Sequence, residues 1–323
     1  MRVLQQKGSA LRLIAVIAFC LFAREAPPQT ARTIKLVVPF APGGGADILA
    51  RLLADQIGRM NGPTIVVENR PGAGTVIATD AVARAAPDGN TVLIVGNSFV
   101  INPNLKKLNY DPLSFAPVCH LTRSPNVVAV HADSPYRTLA DLLAAARAKA
   151  GELTMAYNGP ATSQHIGFEK LRLAANMNVI QVPFPGGSPS VNALLGQHVT
   201  SLFVNYPSVA EQAKAGRVRV LAIASRARVE TLPEIPTIVE AGYPDYEEEV
   251  WFGLVAPANT PKETVAQLAK WFGAAVRAPE VKPKLAIQGL DAVGTCGPAF
   301  GDYLRRQYAE YGRVIRAANI KAE

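Results

Sequence analysis

The chain has 323 residues, of which 49 % are hydrophobic and 18 % charged, with a formal charge of +8. That length exceeds one ordinary core and suits two domains, and the apolar content excludes a disordered chain. Basic residues are interspersed with Asp and Glu, without the Lys/Arg stripe or aromatic interleaving of a nucleic-acid groove, so nucleic acid is excluded as a partner.

Arg2, Lys7 and Arg12 precede an almost unbroken apolar run over residues 13–23. This is the pattern of a cleaved export signal, and it is too short to cross a bilayer. Bulky Phe19 before Cys20 spoils a lipoprotein cleavage site, so Cys20 is expected to leave with the signal, which spans residues 1–26 at most. Cleavage is expected after Ala23 or Ala26. Removing the three basic residues of 1–23 from +8 leaves +5, a mild attraction for anions. Nothing downstream reaches 18 consecutive apolar residues, so the mature chain is expected to be soluble in the periplasm. Cys119 and Cys296 remain, far apart in sequence and able to form one disulfide in that oxidising compartment; spacing alone leaves the pairing open. His120, His131, His165 and His198 are scattered and lack metal-ligand spacing, so no metal or cofactor is expected.

One local grammar repeats along the mature sequence: a short β-branched apolar run, a glycine-rich turn, then a segment with helical periodicity. Such alternation predicts α/β layers. Strands are predicted at 34–40, 64–68 and 91–95, with helices at 47–59 and 76–85. Gly96, Asn97 and Ser98 read as a polar turn, and 102–112 as a Pro- and Asn-rich loop. Residues 126–130 are extended. Thr138 and Asp141 match a capping box at the head of a helix over 139–149. Strands follow at 153–157 and 179–184, each leading through a Gly- or Ser-rich turn into a helix, the first including His165 and the second spanning 190–195. Further strands are predicted at 200–205, 218–224 and 250–256. Thr260, Pro261 and Glu263 read as a second capping box, and a last amphipathic helix covers 300–318.

Four strand-to-helix turns carry the functional signal: 42–47, 69–74, 158–163 and 185–188. Each can present unpaired backbone N–H groups at a helix N-terminus, where partial positive charge favours a carboxylate or phosphate and glycine permits close approach. Any α/β protein needs glycine at tight turns. Four such turns, divided between two candidate lobes, favour one shared anion cleft. GxGxxG lacks its last glycine after Gly45, and no Gly-rich loop leads into GK[ST], so nucleotide binding is excluded. Gly96 to Val100 misses the last glycine of GxSxG, so no hydrolase nucleophile is expected and the protein is read as a non-enzyme. Asp47 is expected to cap its helix or to bond a ligand amino or hydroxyl group. Asn97 and Ser98 suit either a turn or a ligand contact, and His165 either a structural or a ligand-facing role. The acidic run Glu247, Glu248 and Glu249 reads as solvated.

Seven stretches are spread along most of the mature chain: VPFAPGGGAD (38–47), VENRPGAG (67–74), APDG (86–89), VPF (182–184), LLG (194–196), LPEIPT (232–237) and WFGLVAP (251–257). With His165, they resemble the Bug-type periplasmic solute receptors of tripartite tricarboxylate transporters. The resemblance implies a type II, venus-flytrap periplasmic-binding-protein fold with two interlobe crossovers: residues 32–128 and 247–323 form one lobe and 129–246 the other. It also implies capture of a small carboxylate by a monomer and delivery to ion-gradient-driven membrane permease subunits. Ligand contacts are then expected at Phe40, Pro42, Gly43, Gly44, Asp47, Asn97 and Ser98 from one lobe, and at Gly159, Thr162, His165, Phe184, Gly186, Ser188 and Asn205 from the other. Three departures stand out. Tyr157 to Ala161 replaces a Ser- and Gly-rich loop, Pro185 stands where a basic residue is common, and Val204 where the family has an Asp. They favour a ligand with few amines or hydroxyls. A ligand-presenting sensor subunit for a membrane signalling system is the alternative reading.

Overall fold

The central strand runs at 92–95, 127–130 and 202–204 are apolar and buried on both faces, which requires helices on both sides of each sheet. The computed structural model describes residues 32–159, 162–229 and 232–321. The expected signal at 1–26, together with Pro160 and Ala161, lies outside the described residues. β1 (Thr33–Val38), α1 (Gly45–Arg59), β2 (Thr64–Asn69), α2 (Val76–Ala83), β3 (Thr91–Gly96) and α3 (Ser98–Leu105) lead to a sixteen-residue strand, β4 (Ala116–His131). Then come α4 (Leu139–Ala148), β5 (Thr154–Asn158), α5 (Ser163–Ala174), β6 (Ile180–Phe184), α6 (Gly187–Leu195), β7 (Ser201–Asn205), α7 (Ala210–Lys214) and β8 (Val218–Ile223). β9 (Glu249–Ala256), α8 (Lys262–Arg277), α9 (Lys282–Ile287), β10 (Asp291–Cys296) and α10 (Pro298–Ala317) complete the chain.

The strands form two layers that share β4. The first runs β2-β1-β3-β9-β4, with β10 also on β4; the second runs β6-β5-β7-β4, with β8 also on β4. β4 pairs antiparallel with β9 as far as Pro125 opposite Glu249, then with β7 from Asn126 opposite Asn205. The handover between layers therefore falls at 125–126, upstream of the 128–129 boundary expected from the resemblance. Return to the first layer is made at the start of β9. This is the two-lobed α/β architecture with two crossovers.

Each layer is sandwiched. In the first lobe, Leu49, Leu53 and Ile57 of α1 and Leu268, Phe272 and Val276 of α8 pack on one face of the sheet, against Ile34, Leu36 and Leu254. Phe99 and Val100 of α3 and Phe300, Leu304 and Tyr311 of α10 cover the other face. In the second lobe Val128 and Val130 face α4 and α5, while Val127 and Ala129 face α6, the period-two alternation of a strand buried on both sides. Val204 is fully buried in that last cluster, so the position where the family has an Asp points here into apolar core.

Local chemistry explains most boundaries. The box at Thr138 forms in both directions: its hydroxyl accepts from Asp141 N–H while the Asp141 carboxylate accepts from Thr138 N–H. The box expected at Thr260 does not form. Pro261 is the cap residue without a side-chain bond, and the Thr260 hydroxyl instead donates to the Pro257 carbonyl at 2.7 Å. The polar turn expected at Gly96 to Ser98 is the immediate start of α3, which continues past Asn102 with Pro103 inside it.

Cys119 and Cys296 stand opposite each other in the β4–β10 ladder and form a disulfide spanning 177 residues. Cross-linking so long a segment removes much conformational freedom from the unfolded chain. Replacing Cys296 with Ser is expected to lower the unfolding free energy by about 2–4 kcal/mol. Denaturant unfolding of wild type and variant, with and without reductant, measures it, and the reduced wild type should match the variant.

Candidate functional site

The register fixes where the predicted loops point. β3 runs antiparallel to β9 with Gly96 opposite Phe252, so the C-terminal ends of β3 and its parallel neighbours β1 and β2 approach the crossover level from the first lobe. β7 ends with Asn205 opposite Asn126, and β5 and β6 run parallel to it, so their C-terminal ends approach from the second lobe. Every expected contact residue lies at one of these ends or in the first turn of the following helix. Helices α1, α3, α5 and α6 therefore start at the plane between the lobes.

Three of those starts, of α1, α3 and α6, lack a side-chain cap, and two of these follow a glycine. Gly44 precedes α1 and Gly186 precedes α6, and neither helix has a side-chain cap. The first-turn N–H groups of each helix have no intrahelical acceptor and lie at the positive end of the helix dipole. Ala41, Pro42, Gly43 and Gly44 are exposed, as are Pro185 and Ser188. Phe40 and Phe184 are partly buried, Phe40 packing edge-on against Phe252 with centroids 5.9 Å apart. Gly43 has φ +81°, the left-handed region that favours glycine.

Asp47 is the third residue of α1 rather than its cap. Its carboxylate accepts from Arg51 Nε at 3.0 Å and from the Gly43 N–H at 2.9 Å, folding the loop back over the helix end. Arg51 also donates to Asn69 Oδ1, and Asn69 Nδ2 donates to the Phe40 carbonyl. The bond from Arg51, joined by the Gly43 and Asn69 bonds, holds the Asp47 carboxyl below the usual carboxylate range. Asp47 thus shapes the 39–44 loop.

The structure engages five other expected contact residues internally. Asn97 Nδ2 donates to the Glu249 carbonyl and to the Tyr311 hydroxyl, both at 2.8 Å, and its Oδ1 accepts from Trp251 N–H. Asn205 Nδ2 donates to the carbonyls of Ser124 and Pro125. One asparagine from each lobe therefore fastens one crossover strand. Thr162 caps α5, accepting from His165 N–H and donating to the Asn158 carbonyl. Gly159 has φ +70° beside it, against the Phe184 carbonyl. His165 stacks on Tyr157 at 4.6 Å, and burial lowers its pKa below the ordinary histidine value. Ser98 shares a hydrogen bond with Thr75 at 3.1 Å.

Sequence reading missed the polar floor of the interlobe region. Ser124 and Asn126 are almost fully buried on β4, and Asn126 Oδ1 accepts from Gln164 Nε2 at 3.3 Å. Two polar residues inside a long buried apolar run were the available signal. The acidic run was misread. Glu248 is 2 % and Glu249 5 % exposed, because β9 enters the core at that point; the Glu247 carboxylate bonds the exposed Arg226, and Glu249 lies 3.9 Å from Arg123. Among the described residues no cluster of three or more His, Cys, Asp or Glu could hold a metal ion.

The family model described as tripartite tricarboxylate transporter family receptor matches residues 49–320. This chain belongs to that family. The Bordetella pertussis protein BugT is 32 % identical over 320 residues, covering 96 % of this chain and 98 % of its own. A TctC solute binding protein from Polaromonas, solved without ligand, superposes with a TM-score of 0.83 at 27 % identity, covering 90 % of this chain and 99 % of that one. An R. palustris protein solved with adipate gives 0.73 at 30 % identity, covering 91 % and 99 %. Receptors of this family thus share the two-lobed fold described above.

Two tests follow from the loop and crossover bonds. Asn97→Leu strips the partners from the Trp251 N–H and the Glu249 carbonyl, and at about 1–3 kcal/mol per buried group left unpaired it should cost about 2–6 kcal/mol in denaturant unfolding. Asp47 has a depressed pKa, so its contribution to stability is present above the ordinary carboxylate range and is lost as pH falls through the lowered value. Asp47→Asn should therefore flatten the acid limb of a melting-temperature profile.

Proposed function

We propose that the protein is an exported periplasmic receptor that captures a small carboxylate between its lobes and delivers it to the membrane subunits of an ion-gradient-driven tripartite transporter. It works as a monomer, without cofactor and without chemistry on its ligand. One observation carries this reading: the two glycine-capped helix starts, one per lobe, both stand at the interlobe plane with exposed loops. Backbone N–H groups of Gly45 to Asp47 and of Gly187 and Ser188 would hold carboxylate oxygens, as helix N-termini hold anions generally.

Closing the hinge brings the second set of donors onto a ligand already resting on the first. Ligand contacts made only in the closed state supply the free energy that shifts the population. The loops between them offer few charged side chains. Asp47 is committed to Arg51 and Gly43, and Pro185 brings no cation. The ligand is accordingly expected to carry carboxylates on an otherwise apolar body, and the adipate bound by the R. palustris relative has that character. Ser98 shares its hydroxyl hydrogen bond with Thr75, and His165 stacks on Tyr157 in the other lobe.

Gly44→Asp separates fold from binding. A Cβ at Gly44 meets nothing closer than the Ala41 carbonyl at 3.7 Å, and Asp is a favoured cap residue. The melting temperature should hold or rise, while carboxylate affinity falls at least about 100-fold because a fixed negative charge occupies the anion position. Isothermal titration of ligand-stripped protein against mono- and dicarboxylates and their amides measures it. Binding of amides as tightly as acids, or unchanged affinity in Gly44→Asp, refutes the proposal. Gene deletion that abolishes induction but leaves uptake intact would favour the sensor role.

A further inference from the structure

Two consecutive glutamates enter the interior where the chain returns to the first lobe, and one of them contacts elements of both lobes. Glu248 Oε1 accepts the Tyr311 hydroxyl of α10 at 2.9 Å, and that hydroxyl accepts from Asn97 at the end of β3. Glu248 N–H donates to the Ala224 carbonyl of the second lobe at 2.7 Å. A methyl group at Gly167 would lie 2.4 Å from Glu248 Cγ, so α5 of the second lobe is pressed against this side chain and only glycine fits there. One turn further along α5, Lys170 pairs with Glu310 of α10 and donates to the Glu247 carbonyl at 2.9 Å. The Tyr246 hydroxyl closes the group by donating to the Gly167 carbonyl at 2.6 Å. Helix α5, helix α10 and the crossover strand thus meet on one carboxyl group.

We propose that this group is a proton-linked hinge latch, in which neutral Glu248 holds the lobes in the arrangement of this structure and ionised Glu248 releases them. The inference rests on the hinged-receptor reading and adds to it a control over the lobe angle that acts without ligand. The charged and titratable neighbours are Tyr303, Glu310 and Tyr311 from α10, Lys170 from α5, and Tyr246, Glu247 and Glu249 from the crossover. Glu169 of α5 is occupied by Arg172 and Gln181, Glu247 by Arg226, and Glu249 lies 3.9 Å from Arg123. The ammonium of Lys170 nearby is already shared with Glu310.

Burial, reinforced by Glu310 and Glu247, pushes the Glu248 carboxyl well above the usual range, with Lys170 and the Tyr311 hydroxyl opposing. Buried Glu249 is pushed up to about 7 by its own burial. The sign follows. A Glu248 swung toward water ionises in the ordinary carboxylate range, so between that range and the raised value the released arrangement binds fewer protons. Raising pH through this window favours release; below it the arrangements are proton-balanced, and above it the bias is constant.

The test uses the full mature chain without ligand, spin-labelled at Asp55→Cys in the first lobe and Lys149→Cys in the second. Electron–electron resonance reads the interlobe distance distribution from about pH 5 to about pH 9. Each unit by which the pKa is raised gives about a tenfold change in the ratio of the two populations, so at least about tenfold is expected. Glu248→Gln, permanently neutral and nearly isosteric, should keep the acid-side distribution at every pH, while Glu249→Gln should still respond. A wild-type distribution that does not change with pH overturns the latch, as does a pH response that persists in Glu248→Gln or vanishes in Glu249→Gln. If Glu248→Gln does not fold, Lys170→Gln serves: removing the opposing cation raises the latched pKa further, so the upper end of the pH window should move higher and the total change in the ratio of the two populations should grow, and an unchanged or smaller change overturns the proposal. Because no ligand enters the measurement, failure of carboxylate binding and failure of the latch are read separately.

Discussion

The structure depends on one backbone ladder, that of β4, whose sixteen residues pair with the first lobe up to Pro125 and with the second from Asn126. A strand shared by two sheets must satisfy its polar groups at the handover, where neither sheet is complete. Asn205 supplies donors to the Ser124 and Pro125 carbonyls there, and Asn97 does the corresponding work on β9. Buried backbone groups without partners would cost more than the hinge could tolerate. The two asparagines are thus part of what makes a bendable connection affordable in a dry interior.

The same constraint places the site. Once β4 and β9 cross between layers, every parallel strand on either side must end at the interlobe plane, and the helix following it must start there. Side chains at those ends are largely consumed by the fold: Asp47 by its loop, Thr162 by its helix, Asn97 and Asn205 by the crossovers. What remains facing outward is backbone. A receptor that recognises its guest through N–H groups can change guest by altering loop shape while keeping the machinery that positions them.

The repeating units were readable in the sequence because strand and helix periods alternate cleanly, and β1, α1, β5 and α4 fall within a residue or two of expectation. The length of β4 was not, since Pro117, Ser124, Pro125 and Asn126 interrupt its pattern and only pairing with β9, β7, β8 and β10 makes it one strand. Neither was β10, whose Gly294 and Thr295 give no alternation and whose place is set by a bulged ladder on β4. The glycine turns were readable as the starts of α1 and α6, whereas the polar partners of Glu248 were invisible, because Glu248, Tyr311 and Lys170 lie far apart in sequence and meet only through the packing of α5 on α10. An acidic triplet looks solvated unless the strand that follows it is known to dive into the core.

The bond between Cys119 and Cys296 closes its ring just upstream of one crossover and well downstream of the other. The entire second lobe is therefore an excursion whose two roots are covalently stapled on the first. A protease cutting any exposed loop between them would leave a nicked molecule that still migrates as one species until that disulfide is reduced. Damage to the far half then need not separate it from its anchor.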